Sequence, residues 1–334
     1  MDVWHSVQRL LPGVLVCSVI ALAATFLSQH FGGPLLLYAL LLGLAFHFLN
    51  SNPQVKPGVD LCGRTVLRLG VALMGARITF GQVVQLGPLV AVVVFSALCL
   101  TILCGVWLAK SLGRTRDEGL LSGGSVAICG VSAALAISAV LPQSKENQRF
   151  TLLAVVSVTV LSTITMVTHP LLIQWFEMAQ GPAGVFIGGS IHDVAQVVAA
   201  GMIVGPLAGD VATVVKLFRV MLLVPVVMVI SFMYQHQRNF EEQDVTMPLI
   251  PGFLLAFLVL MLLATSLPIP TEWVQWSTNL SRVCLVVAIA AAGIKTSIEE
   301  ILKMGWQPVL LFVAETVFLG AFVLVCVLLL GLAR

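Results

Sequence analysis

Charge is what this sequence has least of. Only 10% of its 334 residues are Asp, Glu, Lys or Arg, while 59% are hydrophobic. A soluble domain carries about 25% charged residues to cover its surface, so a water-soluble globular fold is excluded. Seventeen basic and fifteen acidic residues leave a net charge of +2. No basic tail or cluster is present, which argues against a nucleic-acid partner. The seven cysteines (Cys17, Cys62, Cys99, Cys104, Cys129, Cys284 and Cys326) form no CxxC pair. They read as small buried hydrophobes rather than as zinc or redox motifs. Also missing are a GxxxxGK[ST] phosphate loop, an HExxH metalloprotease pair and a GxSxG nucleophile elbow. His192-Asp193 stands without the further His and Asp ligands of a metal-dependent phosphohydrolase. The expectation is a protein that is not an enzyme and carries no cofactor or metal.

What fills the space is apolar sequence, with a mean hydropathy of +1.06. The pattern is long uniform runs, not the short alternating segments of a membrane β-barrel. Runs long enough to span a bilayer fall near 7–27, 34–49, 60–80, 88–110, 119–141, 150–175, 183–204, 211–234, 248–266, 280–297 and 306–331. These predict an all-α polytopic membrane protein of about ten or eleven helices, since 34–49 is short and 60–80 is polar. Residues 9–24 mimic a signal peptide, but the region before them is weakly basic and holds Asp2. They read as the first membrane helix. Connections are short, and the longest polar stretch, 235–247, is only a loop. The chain therefore reads as one integral membrane domain, 1–334. With eleven helices, Lys and Arg favour a cytoplasmic N-terminus by a narrow margin.

An internal repeat relates residues 64–87 to 282–305. At a constant offset Arg64 meets Arg282, Gly75 meets Gly293, Arg77 meets Lys295, and Gly87 meets Gly305. An odd helix separation would make the copies antiparallel, as in the inverted repeats of secondary transporters. A second duplication is local. Residues 123–125 and 188–190 both read Gly-Gly-Ser inside apolar runs.

Residues 122–132 hold three glycines and three serines. Glycine permits unwound backbone. In a membrane, unwound backbone persists only where it lines a cavity or is buried in protein. Broken helices near 122–132 and 188–196 are therefore expected, with Ser125, Cys129, Gly130 and Ser132 lining one break. Close helix packing through small residues is the alternative account of the same glycines, and both can hold, because Gly119/Gly123, Gly184/Gly188 and Gly201/Gly205 have GxxxG spacing. After the second Gly-Gly-Ser come His192 and Asp193, with Gln196 one turn beyond His192. Ionisable residues at membrane depth face a cavity or one another. Asp193 can pair with a cation, take a proton or cap a helix, and His192 titrates near neutral pH. Arg68, Glu315, His169 and Lys216 are further embedded candidates. Lys216 and Arg219 are expected to snorkel to an interface.

The strings RLGVALMGARI (68–78), GGSVAICGVSAALAISAVLP (123–142), GGSIHDVAQVVAAG (188–201) and VATVVKLFRVMLLVPVV (211–227) resemble the UPF0324 / YeiH membrane proteins, a family named for sulfate export. The resemblance covers roughly 10–330 and is most specific at IHDVAQVVAAG. It departs from the pattern expected of many members at Ser125-Val126 and Gly189-Ser190. It implies a bacterial inner-membrane protein akin to inverted-repeat transporters with two crossed, broken helices. The resulting expectation is a secondary transporter, an exporter of a small anion such as sulfate or a sulfonate. A passive channel and an intramembrane enzyme are the competing classes. Substrate would meet Ser125, Cys129, Gly130, Ser132, His192, Gln196 and Arg68, while Asp193, His192 and Glu315 would carry a coupling proton or sodium ion. Partners are then the substrate and the lipid bilayer, and a homodimer is compatible with the sequence.

Overall fold

The structure, a computed structural model, describes residues 2–32, 35–76, 78, 81, 84, 87–142, 144–234, 252–267, 270–296 and 306–329. Every regular element among them is helical. Six helices are long and apolar enough to cross a membrane: Gln8–Phe31, Gly87–Ser111, Arg149–Trp175, Pro206–Met233, Thr271–Lys295 and Trp306–Leu329. The remaining apolar runs are built from shorter helices. Many large apolar side chains lie outside. Leu11, Leu15, Val19, Leu22 and Phe26 form one exposed stripe at helical spacing on the first helix. In water such a stripe would be costly, whereas lipid is an equivalent solvent for it.

The chain divides into two compact units. Unit 1 takes residues 1–86 and 251–297. It contains α1 (Asp2–Phe31), α2 (Leu35–Ala45), α3 (Lys56–Leu61), a π turn over Cys62–Val66, and α4 (Leu67–Met74). Its later part supplies α13 (Gly252–Ser266) and α14 (Thr271–Lys295). Helix α14 is the packing axis. Ser281 Oγ donates to the Gly70 carbonyl at 2.6 Å and Ser277 Oγ to that of Leu73 at 3.0 Å. Within the described parts of the 64–87 and 282–305 repeat, a Cβ on Gly70 would fall 3.0 Å from Cys284 Cβ, so α4 and α14 lie close there. The repeat's Arg77 and Gly305 lie outside the described residues. Lys295 closes the end of α14 with a 2.7 Å ion pair to Asp60.

Unit 2 takes residues 87–250 and 298–334. Its helices are α5 (Gly87–Ser111), α6 (Arg116–Ala127), α7 (Val131–Val140), α8 (Lys145–Trp175), α9 (Gln180–Ser190), α10 (Val194–Val204), α11 (Pro206–Met221), α12 (Leu223–Met233) and α15 (Trp306–Leu329). The runs expected to break do so. Residues 128–130 separate α6 from α7, and residues 191–193 separate α9 from α10. The glycine spacing also serves packing. A Cβ on Gly188 would fall 2.5 Å from the Ala212 carbonyl, so α9 lies backbone-close to α11. Both readings of the glycines therefore hold at once.

Candidate functional site

A helix leaves its last four carbonyls without partners inside the helix, and that end carries about half a negative charge. At a mid-run break both defects sit inside the protein. In α6, Gly124 and Ser125 carbonyls still receive the Ile128 and Gly130 amides. The Val126, Ala127 and Ile128 carbonyls come next and point out of the helix end.

Their partners are two cations of α11. Arg219 donates from Nε to Ala127 O at 2.9 Å, and from Nη2 to Val126 O at 3.1 Å and again to Ala127 O. Its Nη1 reaches the other break, at Gly188 O and Ile191 O, both at 3.1 Å. Lys216 Nζ bonds Ile128 O at 2.6 Å and Ile191 O at 2.9 Å. The side chains of Lys216 and Arg219 are 0% and 1% exposed. The expectation that they snorkel is therefore wrong. Helix α11 turns this face toward the two breaks, and a cation on free carbonyls is better solvated there than in lipid. These residues tie the C-terminal ends of α6 and α9 together.

The breaks also touch directly. Gly130 has φ +67°, and a Cβ on it would lie 3.6 Å from His192 Cβ. His192 is fully buried. Its Nε2 lies 2.9 Å from Thr316 Oγ1 on α15, and its Nδ1 lies 3.2 Å from Ser190 O. Thr316 Oγ1 also donates to Phe312 O at 2.7 Å. One threonine proton therefore has two acceptors to choose between, and the choice follows the imidazole's protonation.

Of the expected residues, Ser125, Cys129, Gly130, His192 and Gln196 are buried around the crossing, Asp193 is partly exposed and Ser132 is exposed. The Ser125 hydroxyl donates to the Leu121 carbonyl of its own helix. Asp193 caps α10, taking the Ala195 amide at 2.7 Å. Glu315 is fully buried on α15, where Ser122 Oγ donates to its Oε1 at 2.7 Å. His169 stacks on Phe186 with ring centroids 4.6 Å apart. Arg68 belongs to unit 1, where its exposed guanidinium lies 6.0 Å from the centre of the Phe253 ring.

A family model described as Conserved hypothetical protein 698 matches residues 12–312. A UPF0324 membrane protein of Chlorobaculum tepidum is 47% identical over 321 residues, 95% of this chain and 89% of that protein. The chain belongs to the UPF0324 family. The UPF0324 membrane protein TauZ of Paracoccus denitrificans is 46% identical over 327 residues, covering 97% of each chain. A UPF0324 membrane protein of Yersinia pestis is 31% identical over 327 residues, 91% of this chain and 88% of its own. No solved structure matches. With six long apolar helices among the described residues, this UPF0324 protein is a multi-pass protein of the bacterial inner membrane.

Ser162 and Thr163 on α8 of this UPF0324 chain also join the crossing, though no motif singles them out. The Asp193 amide donates to Ser162 Oγ at 3.0 Å, and Gln196 Nε2 donates to Thr163 Oγ1 at 2.8 Å. Their only signal was the density of hydroxyls in the run 157–168.

Proposed function

We propose that the protein is a secondary active transporter, an exporter of a small anion such as sulfate or a sulfonate, coupled to a proton or another ion. The observation that carries this reading is the convergence of two interrupted helices on one buried cation pair. All seven hydrogen bonds of Lys216 and Arg219 end on backbone carbonyls of the two helix ends.

Two half-helix C-termini together carry about one negative charge, which two cations exceed by roughly one. Asp193 is near enough to act electrostatically on Lys216, and its carboxylate cancels that excess. A proton or a cation that joins Asp193 or His192 removes that cancellation and strengthens the attraction for an anion, which is the arithmetic of coupled transport. The N-terminal halves of α7 and α10 begin at Val131, Ser132, Asp193 and Val194, all at least partly exposed. Those positive helix ends offer amides to an oxyanion. Alternating access would be a movement of helices around this fixed crossing.

The test is flux of radiolabelled sulfate from proteoliposomes, with and without a pH or cation gradient. Saturable, gradient-driven flux that Lys216→Met abolishes is the expected result. Flux that never saturates and ignores every gradient would mark a channel. Intact protein that moves no anion would end the proposal.

A further inference from the structure

Asp193 and Gln196 are the N-cap and third residue of α10. An acidic or hydroxyl N-cap followed three residues later by Glu or Gln usually closes a reciprocal box. The cap side chain takes an amide of the first turn, and the Gln side chain reaches back to the cap's own amide. Here only half of the box forms. Asp193 Oδ1 accepts from the Ala195 amide, but the Asp193 amide donates to Ser162 Oγ on α8 instead. Gln196 is drawn to the next residue of α8, Thr163.

The orientation of that amide follows from the network. Thr163 Oγ1 donates to the Thr159 carbonyl at 3.0 Å. Its oxygen accepts from Gln196 Nε2, so the amide presents its NH2 group to Thr163. Gln196 Oε1 is left buried with no hydrogen-bond partner, on a residue 2% exposed. A buried acceptor without a donor costs about 1–3 kcal/mol. The cluster also lies at the middle of the Arg149–Trp175 span, where water is scarce.

We infer that the first turn of α10 and residues 162–163 of α8 form a sodium site, with the Asp193 carboxylate and Gln196 Oε1 as principal ligands. The inference rests on the transporter reading and names its coupling ion. The chemistry is that of a hard monovalent cation. The ligands named are both oxygen, one carboxylate and one amide carbonyl. A single ionised carboxylate matches a single positive charge. Ser162 and Thr163 act as positioning residues, since they pull the capping box open and free the amide oxygen. Sodium here offsets Asp193 and restores the positive excess at Lys216 and Arg219. Sodium and the anion then raise each other's affinity by the same factor.

The experiment measures sodium binding apart from flux. Detergent-purified full-length protein is melted in sodium, potassium and choline chloride at one ionic strength, and sodium affinity is read by titration calorimetry. Sodium alone should raise the melting temperature, saturably. Asp193→Asn keeps a competent N-cap, so its melting temperature in choline should match wild type while sodium affinity falls about tenfold or more. Gln196→Met should weaken sodium in the same way. A wild-type protein that melts identically in all three salts overturns the site. So does an Asp193→Asn variant that keeps the full sodium response. Sodium binding without anion flux keeps the site and removes the transporter reading, whereas flux driven by protons with no sodium response does the reverse.

Discussion

At the first interruption the chain turns on Gly130, at φ +67°, and the following helix α7 starts with no side-chain cap. At the second it stays extended, with ψ 144° at Ile191 and 140° at Asp193, and a carboxylate caps α10. One break is written in the backbone and the other in side chains. A backbone break holds a shape that no proton or ion can alter. A side-chain break is held by hydrogen bonds that a proton or an ion can exchange for its own. The pair thus divides the work between a fixed end and a responsive one, joined at Arg219 and Lys216.

The largest effect should come from cutting that joint. Arg219→Met strands five hydrogen bonds' worth of buried carbonyl at both breaks, and should cost about 3–5 kcal/mol. Arg219→Lys offers three donors where five are used, so it should fall between. Denaturant unfolding in detergent measures both. A loss in Arg219→Met no larger than that of an ordinary surface substitution would show that the breaks stand independently.

Next come the breaks themselves, tested in opposite ways. Gly130→Ala meets no severe clash, since its nearest neighbours lie 3.5 and 3.6 Å away. It must still hold φ +67° with ψ −118°, a conformation that L side chains rarely adopt, for about 1–3 kcal/mol. Asp193→Ala should cost about 1 kcal/mol through the lost cap, and Asp193→Asn only a few tenths. If Gly130→Ala is silent, or Asp193→Asn is as damaging as Asp193→Ala, the backbone and side-chain assignments are interchanged. Thr316→Val probes the responsive break from α15. It removes the hydroxyl facing His192 and should lower stability by about 1 kcal/mol. If His192 carries a coupling proton, Thr316→Val should also move the pH profile of transport. An unchanged profile would assign Thr316 to packing.

Much of this was readable in the residues. Glycine cannot be concentrated in an apolar helix without consequence, so residues 122–132 announced a break, and His192-Asp193 announced polar contacts at depth. The repeat between 64–87 and 282–305 carried no forecast of contact, yet its two stretches meet where Gly70 faces Cys284 and Leu285. What stayed hidden depends on tertiary facing. Lys216 and Arg219 lie in an apolar run much as snorkelling residues would, and nothing local says that α11 aims them at two helix ends. Ser162 and Thr163 were equally silent. Hydroxyls in membrane helices commonly bond back to their own carbonyls, as Thr159 and Thr163 do here. Only the arrival of α10 reveals that they also serve a neighbour.

The smallest effect separates the breaks by pH at their outer ends. Helix α6 is anchored there by Asp117, which accepts from Tyr234 Oη at 2.6 Å and from Asn147 Nδ2 at 3.2 Å. Tyr234 follows the Pro206–Met233 span, and burial first, then its bond to Asp117, pushes its phenol from the usual 10 up to about 12. The phenol is thus harder to ionise in the folded protein than in the unfolded chain. Its contribution is fully present below pH 10 and is lost as pH rises toward about 12. The chain has only two tyrosines, so a phenolate absorbance titration can isolate this one. A late phase should be present in wild type and absent in Tyr234→Phe. The same substitution should remove part of the alkaline loss of thermal stability. A wild-type titration without the late phase would mean that Tyr234 does not hold α6, and the fixed break would then owe its position to Gly130 and the cations alone.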